Sequence, residues 1–131
     1  REALDELAAS IACEQIDEEE LEALRETMRE FEESTTTADV PRIAEADVRF
    51  HDIIYQATGN PRLVNILNNL REQMYRYRVE YLKDEKSYPV LVQEHRQIIE
   101  GLAARNKEMV SQAMQTHVRN QLSTIKEMIR E

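Results

Sequence analysis

Asp47 and His51 stand four residues apart in the stretch IAEADVRFHDIIYQATGN, residues 43–60. Read at the period of an α-helix, Ile43, Asp47, Phe50, His51 and Ile54 share one stripe, so a carboxylate and an imidazole occupy positions that an amphipathic helix turns toward the core. An unpartnered carboxylate there would shift its pKa or destabilise the fold. The two must satisfy each other, find other polar partners, or share a cation. Their spacing stacks them one turn apart on one face, the geometry that two ligands of a single metal ion need. Two more imidazoles lie on apolar stripes: His95 with Leu91, Ile98 and Leu102, and His117 with Val110, Met114, Gln121, Ile125 and Met128. A lone His in such a place is more often a core residue hydrogen-bonded to a carbonyl than a ligand. Here all three histidines of the chain, together with Asp47, fall near the middle of inward faces, so antiparallel packing could bring them to one point. Three imidazole nitrogens and a carboxylate oxygen suit Zn²⁺, Ni²⁺, Mn²⁺ or Fe²⁺; imidazole favours the later metals, and the carboxylate admits Mn²⁺.

The elements that must position these groups read as helices throughout. Two Gly and three Pro in 131 residues leave little punctuation for hairpins, and Glu, Leu, Arg, Gln, Met and Ala dominate. The spacing predicts about six helices. The first runs from Arg1 to about Glu14 on Leu4, Leu7 and Ile11, and the second starts at Asp17, with Glu20 completing a capping box. The hydroxyl run Ser34–Thr37 forms a loop, because these side chains compete for backbone hydrogen bonds. Asp39 and Pro41 open the third helix, which carries Asp47 and His51 and stops near Gly59; Asn60 caps the fourth. The fourth is expected as one long central helix from Pro61 to about Lys83, with the stripe Leu63, Leu67, Leu70, Met74, Tyr77 and Tyr81. Ser87 and Pro89 open the fifth, and Asn106 caps the sixth. Arg71 and Arg78 flank the central stripe, where each could turn a guanidinium inward or snorkel to solvent.

Composition narrows the function. A single core is the default at this length. The formal net charge of −9 argues against this chain gripping a phosphate backbone. Cys13, the one cysteine, excludes an internal disulfide and reads as a small packing residue. No apolar run approaches the roughly 20 residues of a membrane span, so the expectation is a soluble, cytoplasmic domain with no membrane partner. The first helical stripe begins without a capping residue, which suggests further sequence upstream of Arg1.

Ala46-Asp47-Val48-Arg49-Phe50-His51, followed by Ala57-Thr58-Gly59-Asn60-Pro61-Arg62-Leu63, resembles the central signature of the FCD domain, the effector-binding domain of the FadR-type branch of the GntR transcription regulators. Glu94-His95-Arg96-Gln97-Ile98-Ile99 resembles that family's third ligand segment, and His117 sits where its last ligand falls. The resemblance covers nearly the whole chain. It implies an all-α antiparallel bundle in which Asp47, His51, His95 and His117 hold a divalent metal, Zn²⁺ first among the candidates, inside a pocket that admits a small organic acid. It further implies a homodimer whose DNA contact is made by an N-terminal winged-helix domain absent from this chain, and no catalysis. Arg78 is the candidate partner for the far carboxylate of the effector, since a guanidinium fork matches it bidentately. Arg71 and Asn120, one turn beyond His117, are weaker candidates for the same ligand. Tyr55, Tyr75 and Tyr77 could line the pocket, although core or interface packing suits each better.

Two other readings use the same residues. A catalytic metal would activate water on a hydrolase-like site, but no spare general base stands out. A structural metal, or a satisfied polar core, would serve an interaction bundle. Ferritin-like di-metal chemistry is disfavoured because no His has Glu three residues before it.

Overall fold

The structure, a computed structural model, describes the backbone of residues 2–130 and the side chains of all of these except residues 2, 3, 71, 125 and 127–130. Among the described residues every regular element is a helix: α1 (Glu2–Gln15), α2 (Glu18–Thr35), α3 (Val40–Ala57), α4 (Pro61–Asn69), α5 (Arg71–Leu82), α6 (Ser87–Ala103) and α7 (Lys107–Arg130). The all-α bundle is as expected, with one more helix than the spacing predicts.

The boundaries lie where the capping chemistry puts them. The Asp17 side chain accepts from Glu20 N–H at 2.7 Å while the Glu20 carboxylate accepts from Asp17 N–H at 3.0 Å, closing the capping box of α2. Asp39 caps α3, Asn60 caps α4, and Asn106 accepts from Met109 N–H at the start of α7. Gly59 takes the left-handed conformation, φ 62°, that ends α3.

The expected central helix is two helices. Asn68 and Asn69 are weak helix formers, and Leu70 (φ −95°, ψ −4°) bonds its N–H to Leu67 O, a tighter turn than the α-helical one. Beyond the restart the apolar stripe runs on with one exception. Met74, Arg78, Tyr81 and Leu82 are buried, whereas Tyr77 is only half-buried. Arg78, one turn after Met74 on α5, is thus turned into the protein.

On α1 the most buried face is Asp5, Ala8, Ala9 and Ala12 rather than the leucine line, and Leu7 is half-exposed. Small side chains let α1 lie close against α3 and α7. α6 and α7 run antiparallel: Glu94 meets His117 and Gly101 meets Val110, pairs whose residue numbers have the same sum. Cys13 is buried, with its thiol 3.9 Å from Gly101 O. Burial raises its pKa against the pull of Arg105 and Lys107, which keeps the thiol unreactive.

Three apolar clusters fill the interior. Each sends an aromatic ring to the same polar centre. Phe50 stacks on His95 with ring centroids 4.1 Å apart, Phe31 meets the edge of His95 at 5.1 Å, and Tyr55 tilts against His51 at 6.2 Å.

Candidate metal centre

α3 supplies Asp47 and His51, α6 supplies His95 and α7 supplies His117, and all four residues are fully buried. One ligand-capable atom from each falls in a group whose members all lie within 4.8 Å of one another. His95 Nε2 is 2.9 Å from Asp47 Oδ1, His51 Nε2 is 3.4 Å from the same oxygen, and His117 Nε2 is 3.2 Å from His51 Nε2. Metal–ligand distances of about 2.1 Å require ligand atoms roughly 3 to 4 Å apart. The separations of 2.9, 3.4 and 3.2 Å along this chain of atoms meet that requirement.

The surrounding atoms fit a cation as well. His117 Nδ1 is 3.2 Å from Glu94 Oε1, so the ring can donate its Nδ1 proton to a carboxylate and present a lone pair at Nε2. Glu94 is itself buried, and its other oxygen accepts from Asn120 Nδ2 at 2.6 Å. The residues named from sequence as ligands therefore come together. Glu94, absent from that set, joins them as a support. The signal for it is present, since Glu94 lies three residues after Leu91 and four before Ile98, on the buried side of α6.

Arg78 is buried and its Nε lies 2.9 Å from Asp47 Oδ2. The approach has the distance of an ion pair without the alignment of a hydrogen bond, and Arg78 Nη2 has no hydrogen-bond partner. Asn120 is spent on Glu94. The side chain of Arg71 lies outside the described residues. Tyr55 donates to Asp5 Oδ1 at 2.6 Å, tying α3 to α1.

The electrostatics keep His51 and His117 neutral. Burial lowers His51 to about 4, and the Arg78 cation adds to this against the pull of Asp47. Burial, then His95, lowers His117 to about 3. Burial would raise Asp47, but Arg78 and then His51 outweigh it and hold the carboxyl well below its ordinary value. Burial raises Glu94 to about 7 against the Asn120 hydrogen bond. Neutral His51 and His117 beside an ionised Asp47 are in the protonation states that metal ligation needs. A buried Asp and three His on one point can thus hold a metal ion.

A separate groove of about 600 Å³ lies on the outer side of α3, lined by Glu45, Val48, Arg49, Asn68, Glu72 and Tyr75. None of the four ligands lines it. No described helix is long and apolar enough to cross a membrane.

A family model described as the FCD domain matches residues 1–120. The chain is 28% identical over 131 residues to an uncharacterized HTH-type transcriptional regulator, YdhC, of Bacillus subtilis (strain 168), covering 98% of this chain and 58% of that protein. It is 29% identical over 124 residues to a second, YcbG, of the same organism, covering 91% of this chain and 48% of that protein. The chain thus spans about half the length of the curated relatives it matches. Among solved structures it is similar to E. coli McbR/YncC, with a TM-score of 0.88 at 16% identity, over 98% of this chain and 62% of that one. At that identity the likeness shows the fold alone.

Proposed function

Because the chain belongs to the FCD domain family, we propose that it is the ligand-sensing domain of a FadR-type GntR transcription regulator. In this reading Asp47, His51, His95 and His117 hold a divalent metal, and a small organic acid binds beside it. The observation that carries the reading is the convergence of these four groups, from three helices, within 4.8 Å of one another at full burial. Three imidazoles favour Zn²⁺, with Ni²⁺, Mn²⁺ or Fe²⁺ as alternatives.

Arg78 is the residue we assign to the effector. Its guanidinium faces Asp47 Oδ2, and a carboxylate ligand would give it a second, bidentate partner. Asn120 acts through Glu94 rather than on the ligand. Arg71 stays a candidate for the effector on its place in the sequence. The signal would be a linkage: an acid that binds one arrangement of the intact cytoplasmic homodimer more tightly than another shifts DNA affinity by that difference. DNA contact belongs to a domain outside this chain, in keeping with the net charge of −9. The domain senses and does not catalyse.

Complete burial of the ligands supports a second reading, a closed structural metal. Metal analysis of the purified protein, combined with a thermal-shift screen of mono-, di- and tricarboxylates, separates the two. The sensor gives stoichiometric metal and stabilisation by at least one class of acid, and His95→Ala removes both. Metal content unchanged in His95→Ala would count against the assignment; metal without any response to acids would favour the structural reading.

A further inference from the structure

We infer that Glu94, strutted by Asn120, is a positioning residue that turns His117 into a ligand by fixing its tautomer. The inference rests on the proposed metal reading of the same site and adds to it a residue outside the ligand set. Glu94 and Asn120 come from facing helices, α6 and α7, so their bond spans the antiparallel pair. One Glu94 oxygen, Oε2, accepts from the Asn120 amide at 2.6 Å, which leaves Oε1 aimed at His117 Nδ1, 3.2 Å away. When ionised, Glu94 can only accept here, which places the His117 proton on Nδ1 and the lone pair on Nε2. That lone pair faces His51 Nε2 at 3.2 Å. Among the described residues His51 Nδ1 has no hydrogen-bond partner, so no bond on that side holds the His51 proton away from Nε2. In the metal-free protein a proton on His51 Nε2 can bridge the two nitrogens, and a cation bound there would take that proton's place.

Glu94 is nearly inaccessible, at 4% exposure, and its neighbour His95 points to Asp47. Two consecutive residues of α6 thus serve the centre from two sides, one as ligand and one as support. Removal of such a support costs metal affinity 10–100-fold in order of magnitude. Glu94→Gln keeps the shape but offers an N–H₂ where Asn120 also offers one. The new amide then turns its oxygen to Asn120 and its nitrogen to His117, which drives the His117 proton to Nε2. Adding Asn120→Asp reverses that, because a carboxylate on α7 accepts from the new amide and returns the amide oxygen to His117.

The test uses Zn²⁺ alone on the purified protein, with competition titration for affinity and imidazole ¹⁵N spectra of the metal-free form for the tautomer. With three histidines in the chain the spectrum is assignable. Expected are an Nδ1–H tautomer for His117 in the wild type, a 10–100-fold loss of Zn²⁺ affinity in Glu94→Ala, a proton moved to Nε2 in Glu94→Gln, and recovery of both readouts in Glu94→Gln/Asn120→Asp. Wild-type affinity in both single variants, or a His117 proton on Nε2 in the wild type, overturns the inference while leaving the metal reading standing. A wild-type protein that takes up no divalent metal overturns the metal reading and this inference with it.

Discussion

Arg78 Nε lies 2.9 Å from Asp47 Oδ2, while the other oxygen of the same carboxylate, Oδ1, lies 2.9 Å from His95 Nε2. One buried carboxylate is therefore shared between a permanent cation and the candidate metal centre. The two cations do not exclude each other, because they use different oxygens. Burial would lower Arg78, yet Asp47 together with Tyr55 and Asp5 outweighs it and raises the guanidinium further, so the pair stays ionised.

Arg78→Met leaves Asp47 buried beside neutral imidazoles. Losing one partner of a buried pair costs about 3–5 kcal/mol, so the metal-free variant should unfold at clearly lower urea concentration than the wild type. Zn²⁺ should restore much of the loss, since a divalent cation then supplies the missing positive charge. Stabilisation by carboxylates, if Arg78 holds the effector, should vanish while Zn²⁺ content is unchanged. Retained acid stabilisation in Arg78→Met would remove Arg78 from the effector site.

The neutral imidazoles set a pH dependence whose sign can be worked out. His51 and His117 titrate at about 4 and about 3 in the folded protein, below the ordinary value of 6.5. The unfolded chain therefore binds more protons, and stability is complete above pH 6.5 and lost as the pH falls toward 4. Each unit of depression is worth about 1.4 kcal/mol, so the two together reach several kcal/mol. Glu94 runs the other way: raised from 4.5 to about 7, it favours the folded state as pH falls through that window. Two histidines against one carboxyl leave a net loss in acid. Urea midpoints of the metal-free protein, compared stepwise from neutral pH down toward the folded-state value of about 4 for His51, should fall, and His51→Gln should flatten the trend. An unchanged slope in that variant would show that other groups govern it.

Much of this architecture is legible in local chemistry. Asp17 with Glu20, Asp39 with Pro41, and Gly59-Asn60-Pro61 are signals whose effect is confined to one turn, and α2, α3 and α4 start where they stand. The four ligands are legible for a related reason: a polar group on an apolar stripe conflicts with its own surroundings, and packing must resolve the conflict. The break at Leu70 is not visible in the same way, because the apolar stripe runs on across it and only the weak preference of Asn68-Asn69 marks it. The buried face of α1 is hidden because alanines lack the apolar weight of leucines, yet they allow the closer approach. Glu94 is marked only by its place on the stripe of α6, and its partner Asn120, 26 residues away on α7, is not visible from that stripe.

Gly101 lets α6 come close to Val110 of α7. A Cβ there would lie 2.6 Å from Val110 Cγ2 and 3.2 Å from Val110 N. Gly101→Ala gains about 1 kcal/mol of helix propensity, but overpacking against a β-branched side chain costs roughly 1–3 kcal/mol. The balance should be destabilising, read as a lower melting temperature, and Val110→Ala in the same chain should recover part of the loss because it removes the nearest atom. A Gly101→Ala protein that melts higher than the wild type would mean that the helices sit further apart than described.

The Tyr55 hydroxyl donates to Asp5 Oδ1 at 2.6 Å, and both residues are buried between α1 and α3. Tyr55→Phe keeps the ring, which sits beside His51, and deletes the hydroxyl, which also interacts with Arg78. A buried carboxylate that loses a hydrogen bond costs about 1–3 kcal/mol, so chemical denaturation should show a loss of that order with metal affinity little changed. Asp5→Ala should cost a similar amount. The double variant should lose less than the sum of the two, because the hydroxyl and the carboxylate are then removed together. Strict additivity would mean that the bond contributes nothing to holding α1 against α3, and that the alanine face of α1 alone sets its position.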